Sequence, residues 1–251
     1  MSAMAISGIV FACLFAGGLL GMWLRAALPQ HHLGAETKDV VRLGMGLIAT
    51  MSALVLGLLI ASAQSSYSTK RSEFTQICSN IIELDRVLAR YGPDAKAVRD
   101  ILRLGASRAL NQIWPAEGSP LGRPEPTTVK TDALYDQVQR LTPQNEAQRA
   151  FRDQALSLAL TIGGTRWLLV AQEESSIPAP FLVVLVCWLA IIFVSFGLFA
   201  PPNATVLTVL LVCALSIAGA IFLILELDQP YAGWIQISSA PLRNAIAQLG
   251  Q

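Results

Sequence analysis

The sequence has few charged residues, and long parts of it have none. Only 14% of the residues are charged, against about 25% in soluble globular proteins, and the mean hydropathy is +0.52. No Asp, Glu, Lys or Arg occurs in residues 1–24, 43–66 or 175–225. A membrane-spanning helix needs roughly 20 apolar residues. These gaps exclude an ordinary soluble protein and predict membrane spans.

Proline is absent from residues 35–91, whose middle part, 43–66, is also free of charge. Because proline interrupts helices, this stretch predicts one long helix with a membrane-spanning upper part and an amphipathic lower part. Below the span, an apolar stripe continues at steps of three and four and is flanked by charges, as on a half-buried helix. The stripe consists of Phe74, Ile77, Ile81, Leu84, Leu88 and Tyr91.

Residues that would support catalysis or metal binding are sparse. Three of the four cysteines lie in the apolar runs, and no pair has the spacing of metal ligands. The only histidines, His31 and His32, are adjacent, so their side chains point apart; they are either interfacial polar residues or a functional pair. The sequence shows no pattern of acid, base and nucleophile that would indicate a catalytic site. We expect no metal, no cofactor and no enzymatic activity.

The charges of the long polar segment are balanced. Residues 64–180 contain 14 basic and 13 acidic side chains, and nucleic-acid binding usually requires a strong basic excess. The sequence therefore predicts the lipid bilayer as a partner and no nucleic acid.

The fold class predicted is an all-α integral membrane protein. It has four transmembrane helices and a helical bundle or stalk inserted between the second and the third. Residues 1–63 hold the spans M1 (3–24) and M2 (43–63), and residues 64–180 form the bundle, continuous with M2 and M3. Residues 181–228 hold M3 (181–200) and M4 (204–225), which are separated by a Pro-Pro-Asn turn, and residues 229–251 form a tail.

Helix signals divide the inserted segment and the tail further. Gly92 and Pro93 end the long helix, and Asp94 opens the next one. Thr142 and Pro143 fit the cap and first position of a helix that runs to about residue 174. In the tail, residues 241–249 form a short helix with an apolar stripe predicted to dock on the bundle.

Small residues form two series in the spans. Gly8, Gly17, Gly18 and Gly21 in M1 predict a face where another helix approaches closely. In M2, one face carries only small or polar side chains, and it either lines a pore or forms a close helix–helix seam within or between subunits. These pore-lining candidates are Gly46, Thr50, Ala53, Gly57, Ala61, Gln64 and Ser68.

A few charges flank the spans and are candidates for biasing ion entry at the mouths of a pore. They are Glu36, Asp39 and Arg42 before M2, and Glu226 and Asp228 after M4. Lys and Arg near the membrane ends are nearly balanced on the two sides, so the positive-inside rule leaves the orientation open.

Three runs resemble the bacterial bestrophin-like family, whose members were long catalogued as of unknown function. They are LPQHHLGAETKDVVRLG at residues 28–44, LVLGLLIASA at 54–63, and the tail ELDQPYAG to SSAPLR at 226–243. The resemblance extends over nearly the whole chain. Bestrophins are pentameric ion channels with four spans, a pore lined by the second span, cytosolic termini and a cytosolic helical region.

The resemblance therefore implies a homo-oligomer, a pentamer, that conducts inorganic ions in the bacterial inner membrane, with the bundle and both termini in the cytosol. This chain departs from bestrophins in two ways. Only Glu226 and Asp228 stand where calcium-gated bestrophins carry a dense acidic cluster, and residues 43–66 contain no aromatic side chain. The alternative function is a membrane-anchored helical scaffold or sensor that conducts no ions.

Overall fold

A computed structural model of the chain describes residues 2–29, 34–114, 131–171, 179–231 and 233–250. Within these residues the fold is all-helical and contains no strand, as predicted. The helices are α1 (Ala3–Ala27), α2 (Ala35–Tyr91), α3 (Lys96–Ile113), α4 (Thr131–Gln139), α5 (Glu146–Ala171), α6 (Ala179–Phe199), α7 (Ala204–Asp228) and α8 (Ala240–Gln248).

Four helices in the described part of the chain, α1, α2, α6 and α7, are long and apolar enough to cross a membrane. The number of predicted spans is therefore confirmed, and the protein is an integral membrane protein. The single long helix predicted over residues 35–91 is confirmed as α2. Contacts divide the chain into two compact units: Met1–Tyr67 with Ser175–Ile235, and Ser68–Glu174 with Gln236–Gln251. The domain boundaries at 63, 180 and 228 remain predictions.

The first unit is organised around the packing of α1 against α6 and α7. Its core contains fully buried Leu14, Leu185 and Ile221, together with Leu59 and Ala63 from α2. Asn203 caps α7 by accepting a hydrogen bond from the backbone N–H of Val206 at 2.9 Å. The Pro-Pro-Asn sequence therefore both ends α6 and starts α7.

Glycines bring α1 and α6 into backbone contact. A Cβ atom added at Gly21 would overlap the carbonyl oxygen of Val194 and lie 2.8 Å from the nitrogen of Leu198. A Cβ atom added at Gly197 would overlap the carbonyl oxygen of Gly18. The two helices run parallel here, because later residues of α1 meet later residues of α6. The close approach predicted for M1 is confirmed at Gly17, Gly18 and Gly21, whereas nothing lies within 4 Å of a Cβ at Gly8.

The second unit contains the lower part of α2, with α3, α4, α5 and α8. The apolar stripe predicted on α2 is buried, apart from half-buried Ile77. The rings of Phe74 and Trp114 lie 5.4 Å apart at 58°, a favourable tilted arrangement. Leu242 and Leu249 of the tail are buried, and α8 packs against α3, as expected for the docked tail helix.

Two predicted helix starts are wrong by a few residues. The long helix after Thr142 and Pro143 begins at Glu146, because the side chain of Asn145 accepts a hydrogen bond from the N–H of Gln148 at 2.8 Å and caps it. After Gly92, the segment Pro93–Ala95 forms a 3-10 turn, so α3 begins at Lys96. Gly92 has a φ of +123°, which glycine adopts without strain.

Candidate functional site

The membrane part of α2 has one face that is packed inside the chain. Ser52, Leu59 and Ala63 are buried, and Ala63 has no exposed surface. Leu59 and Ala63 belong to the core formed with α1, α6 and α7. Ser52, Leu59 and Ala63 are separated by seven and four residues, which places them on one side of the helix. This side anchors α2 to the rest of the first unit.

The small-residue face of α2 lies on another side and is exposed in the chain. At 100° per residue, its centre is about 140° around the helix from the packed side. Every pore-lining candidate is exposed: Gly46, Thr50, Ala53, Gly57, Ala61, Gln64 and Ser68. We call these seven residues the small stripe. That this face lines a pore, or forms a seam with another copy of the chain, remains a prediction.

The two glycines of the small stripe have free space beside them. A Cβ atom at Gly46 or Gly57 would meet nothing within 4 Å. Among the described residues, the chain itself therefore does not seal the stripe as α6 seals Gly21 of α1. A seam within one subunit is absent from this part of the structure, whereas a seam between subunits and a pore both remain compatible with the geometry.

The hydroxyl group of Thr50 is already engaged with its own helix. Its Oγ1 donates a hydrogen bond to the carbonyl oxygen of Leu47 at 2.8 Å. The hydroxyl oxygen retains acceptor capacity on the exposed side. Thr50 can thus offer a weak polar contact to water or a cation, and it needs no other partner in the chain.

Sequence reasoning missed a second exposed face of α2 beside the small stripe. Leu43, Leu47, Leu54 and Leu58 are all exposed, and Leu54 keeps 75% of its surface. Their spacing by four and seven residues was visible in the sequence and could have revealed this row. Exposed leucines in a spanning helix can face lipid, pack on another copy or form an apolar constriction in a pore.

The charges in the first turns of α2, before its membrane-spanning part, are accessible where they are described. Asp39 and Arg42 are exposed. The side chain of Glu36 lies outside the described residues. These positions precede the uncharged part of α2, and their role at the mouth of a pore remains a prediction.

The acidic residues at the end of α7 are buried in the single chain. Glu226 is 6% exposed, and its carboxylate accepts a hydrogen bond from the N–H of Trp234 at 2.7 Å. The carboxylate lies so close to Gly233 that a Cβ there would overlap it, and Gly233 has a φ of +102°. Asp228 is also buried. Glu226 therefore orders the turn after α7 and leaves Trp234 81% exposed.

Groups suited to metal binding are not clustered in the described ranges. No set of three or more His, Cys, Asp or Glu side chains within them lies close enough to hold an ion. His31 and His32 lie outside the described residues. Burial raises the pKa of the Cys78 thiol, which lies below the span of α2, to about 11, so little reactive thiolate forms at neutral pH.

One family model matches the chain, under the description bestrophin-like domain, over residues 12–242. This match covers all four candidate spans, apart from the first nine residues of α1, and it ends in the first turn of α8. No curated protein and no solved structure matches the chain.

Proposed function

Because the chain belongs to the bestrophin-like family, we propose that it is an ion channel of the bestrophin-like type. In this proposal several copies assemble with α2 around a central pore, and a pentamer follows from the resemblance to bestrophins. The channel resides in the bacterial inner membrane, with both termini and the helical region between α2 and α6 in the cytosol. It is not an enzyme and needs no cofactor.

The observation that carries the proposal is the exposure of the small stripe. Apart from Gln64, its side chains are too small to gain much from contact with lipid, and Gln64 and Thr50 are polar. A polar side chain that faces hydrocarbon is costly, so such a face is expected to meet water or another protein surface. The packed side of α2 is turned away from the stripe, which suits a helix placed between the subunit core and an axis.

Charges at the two ends complete the proposed pathway. Glu36, Asp39 and Arg42 would bias ion entry at one mouth, and Glu226 and Asp228 at the other, as rings of charge do in channels. Since Glu226 and Asp228 are buried in the single chain, they would act through their field and by holding the turn around Gly233, and not by direct contact with the ion.

The direct test is ion flux in liposomes that contain only the purified protein, with Gly57→Leu as the blocking variant. A leucine at position 57 fills the lumen of a central pore, so we expect flux to fall at least tenfold while the native mass of the oligomer is retained. The matched control is Gly219→Leu on α7, because Gly219 is equally free of neighbours within 4 Å but lies outside the stripe.

The same assay distinguishes the channel from the alternative function, a scaffold or sensor that conducts no ions. The exposed leucine row beside the stripe favours this alternative. If the wild-type protein is oligomeric but passes no ions across a range of salts, pH values and voltages, the leucines and the stripe form an interface between subunits. A monomeric native mass would exclude a central pore built by α2. Equal loss of flux in both leucine variants would also contradict the assignment of the stripe.

A further inference from the structure

A cavity of about 410 Å³ in the second unit has a strongly charged lining that the channel proposal does not use. Its walls come from the lower end of α2, the turn before α3, one face of α3 and the backbone near the end of the tail. The lining residues are Asp85, Ala89, Gly92, Pro93, Lys96, Arg99, Asp100, Arg103 and Gly250. We call this the basic cavity; its volume lies within the range of small-molecule sites, about 300–1,000 Å³.

One of its two carboxylates is fully engaged. Asp85 accepts hydrogen bonds from Nε and Nη2 of Arg99 at 2.7 and 2.8 Å, and from the N–H of Gly250 at 3.2 Å. Burial opposes ionisation of Asp85, but these donors outweigh it and hold the pKa of the carboxyl below its usual value. Asp85 therefore remains an anion, fixes the guanidinium of Arg99 and joins the tail to this wall.

Two further cations on the same face of α3 form no ion pair with a described residue. Lys96, Arg99 and Arg103 are separated by three and four residues, so their side chains stack on one side of the helix. Lys96 and Arg103 are exposed and have no carboxylate within 4 Å among the residues that the structure describes. Asp100 lies between them on this face and is the second carboxylate of the lining among the described residues.

The rest of the lining is small and partly apolar. Ala89, Gly92 and Pro93 present no polar side chain, so they offer a surface for the organic part of a ligand. Guanidinium and ammonium groups placed together are suited to phosphate, whose oxygens accept several charge-assisted hydrogen bonds at once. A monovalent anion would gain much less from these exposed cations.

We propose that the basic cavity binds a soluble organic phosphate that carries two or more negative charges. Lys96 and Arg103 contact the phosphate, and Arg99, oriented by Asp85, supports it. Because Gly250 forms part of the wall, the bound ligand also stabilises the docking of α8. The site is independent of the pore proposal, since it requires only the second unit of the intact protein.

The test is isothermal titration of the full-length protein in phosphatidylcholine nanodiscs, with magnesium-free ATP as the probe and inorganic phosphate as a second ligand. We expect ATP to bind more tightly than phosphate, and Lys96→Ala and Arg103→Ala each to weaken ATP at least tenfold. Asp100→Asn should strengthen binding severalfold, because it removes a repulsive charge. The matched control is Arg108→Ala, an exposed arginine of α3 outside the lining, which should leave the affinity unchanged.

Hydrogen exchange provides a second readout that does not depend on a fitted affinity. ATP should slow amide exchange in α8 of the wild type and fail to do so in Arg103→Ala. No ATP binding at millimolar concentration, or equal effects of Arg103→Ala and Arg108→Ala, would overturn the site. If phosphatidic acid in the nanodiscs displaces ATP in the wild type, the ligand is a lipid headgroup and the assignment to a soluble phosphate is wrong.

Discussion

Two helices of the membrane part carry several glycines, but only one of them packs these residues against another helix of the same chain. On α1, Gly21 meets the backbone of α6 so closely that no Cβ atom fits, and the carbonyl oxygen of Gly18 leaves no room for a Cβ at Gly197 of α6. On α2, Gly46 and Gly57 have no neighbour within 4 Å. The comparison teaches that small residues in a spanning helix permit a close approach, while the whole fold decides whether another helix of the chain makes it.

The largest effect is expected where the glycines are packed. Gly21→Ala places a methyl group on the backbone of α6, so we expect a loss of stability at or above the upper end of the usual range for overpacking, about 1–3 kcal/mol. Gly57→Ala should not destabilise the dissociated chain, because a Cβ there meets nothing within 4 Å and alanine favours a helix more than glycine does. Thermal unfolding in detergent, with the yield of folded protein, measures both.

The assembled particle gives the informative control for this pair. If Gly57→Ala lowers the dissociation midpoint of the oligomer as strongly as Gly21→Ala lowers the unfolding midpoint, the small stripe is a tight seam between subunits. Both helices would then use their glycines for close packing, α1 against a helix of the same chain and α2 against a helix of another subunit.

The second unit allows a similar comparison between a buried ion pair and an exposed one. The pair of Asp85 and Arg99 is largely buried, whereas Arg152 and Asp153 meet at 3.4 Å with Asp153 exposed. Asp85→Ala leaves Arg99 without its partner and should cost about 3 kcal/mol. Asp153→Ala should cost about 0–1 kcal/mol. Denaturant unfolding at pH 7 measures the difference.

The stabilisation from Asp85 should depend on pH with a defined sign. The pKa of this carboxyl is lowered in the folded protein, against about 3.9 in the unfolded chain. Its contribution is fully present above about pH 4 and is lost as the pH falls through the lower folded pKa. The gap between wild type and Asp85→Ala should therefore close in strong acid; a gap that instead widens would contradict this pairing.

Cysteine labelling tests whether the small stripe is wet. In a chain whose exposed cysteines, Cys13, Cys187 and Cys213, are replaced by alanine, Ala61→Cys should react at least tenfold faster with a membrane-impermeant thiol reagent than Ala63→Cys. Ala61 is on the exposed stripe, and Ala63 is fully buried. Cys78 can remain, because burial keeps its thiol protonated. Equal, slow labelling at both sites would mean that the stripe is dry.

The smallest effect is expected from Thr50→Val. The hydroxyl already donates to its own helix, and the replacement has nearly the same shape, so stability should change by no more than about 0.5 kcal/mol. In the liposome assay, we expect a moderate fall in flux, well below that of Gly57→Leu. A complete loss of flux would show that the hydroxyl contacts the ion directly.

The sequence alone was sufficient for the membrane class, the number of spans and the unbroken helix from Ala35 to Tyr91. Runs without charge, runs without proline and spacing by three and four residues are local properties, and they act through the hydrogen bonding and hydrophobicity of single helices. The start of α5 was misplaced because two possible capping residues, Thr142 and Asn145, stand three residues apart, and the side chain of Asn145 provides the cap.

Only the tertiary structure decided which surfaces are used. It placed the glycines of α1 against α6, left the small stripe of α2 uncovered, buried Glu226 under the turn at Gly233 and brought Asp85 to Arg99 and Gly250. The contacts of α1 with α6 and of Asp85 with Gly250 join residues far apart in the chain. The periodicity of one helix shows which residues share a face, whereas the element that meets this face depends on the path of the entire chain.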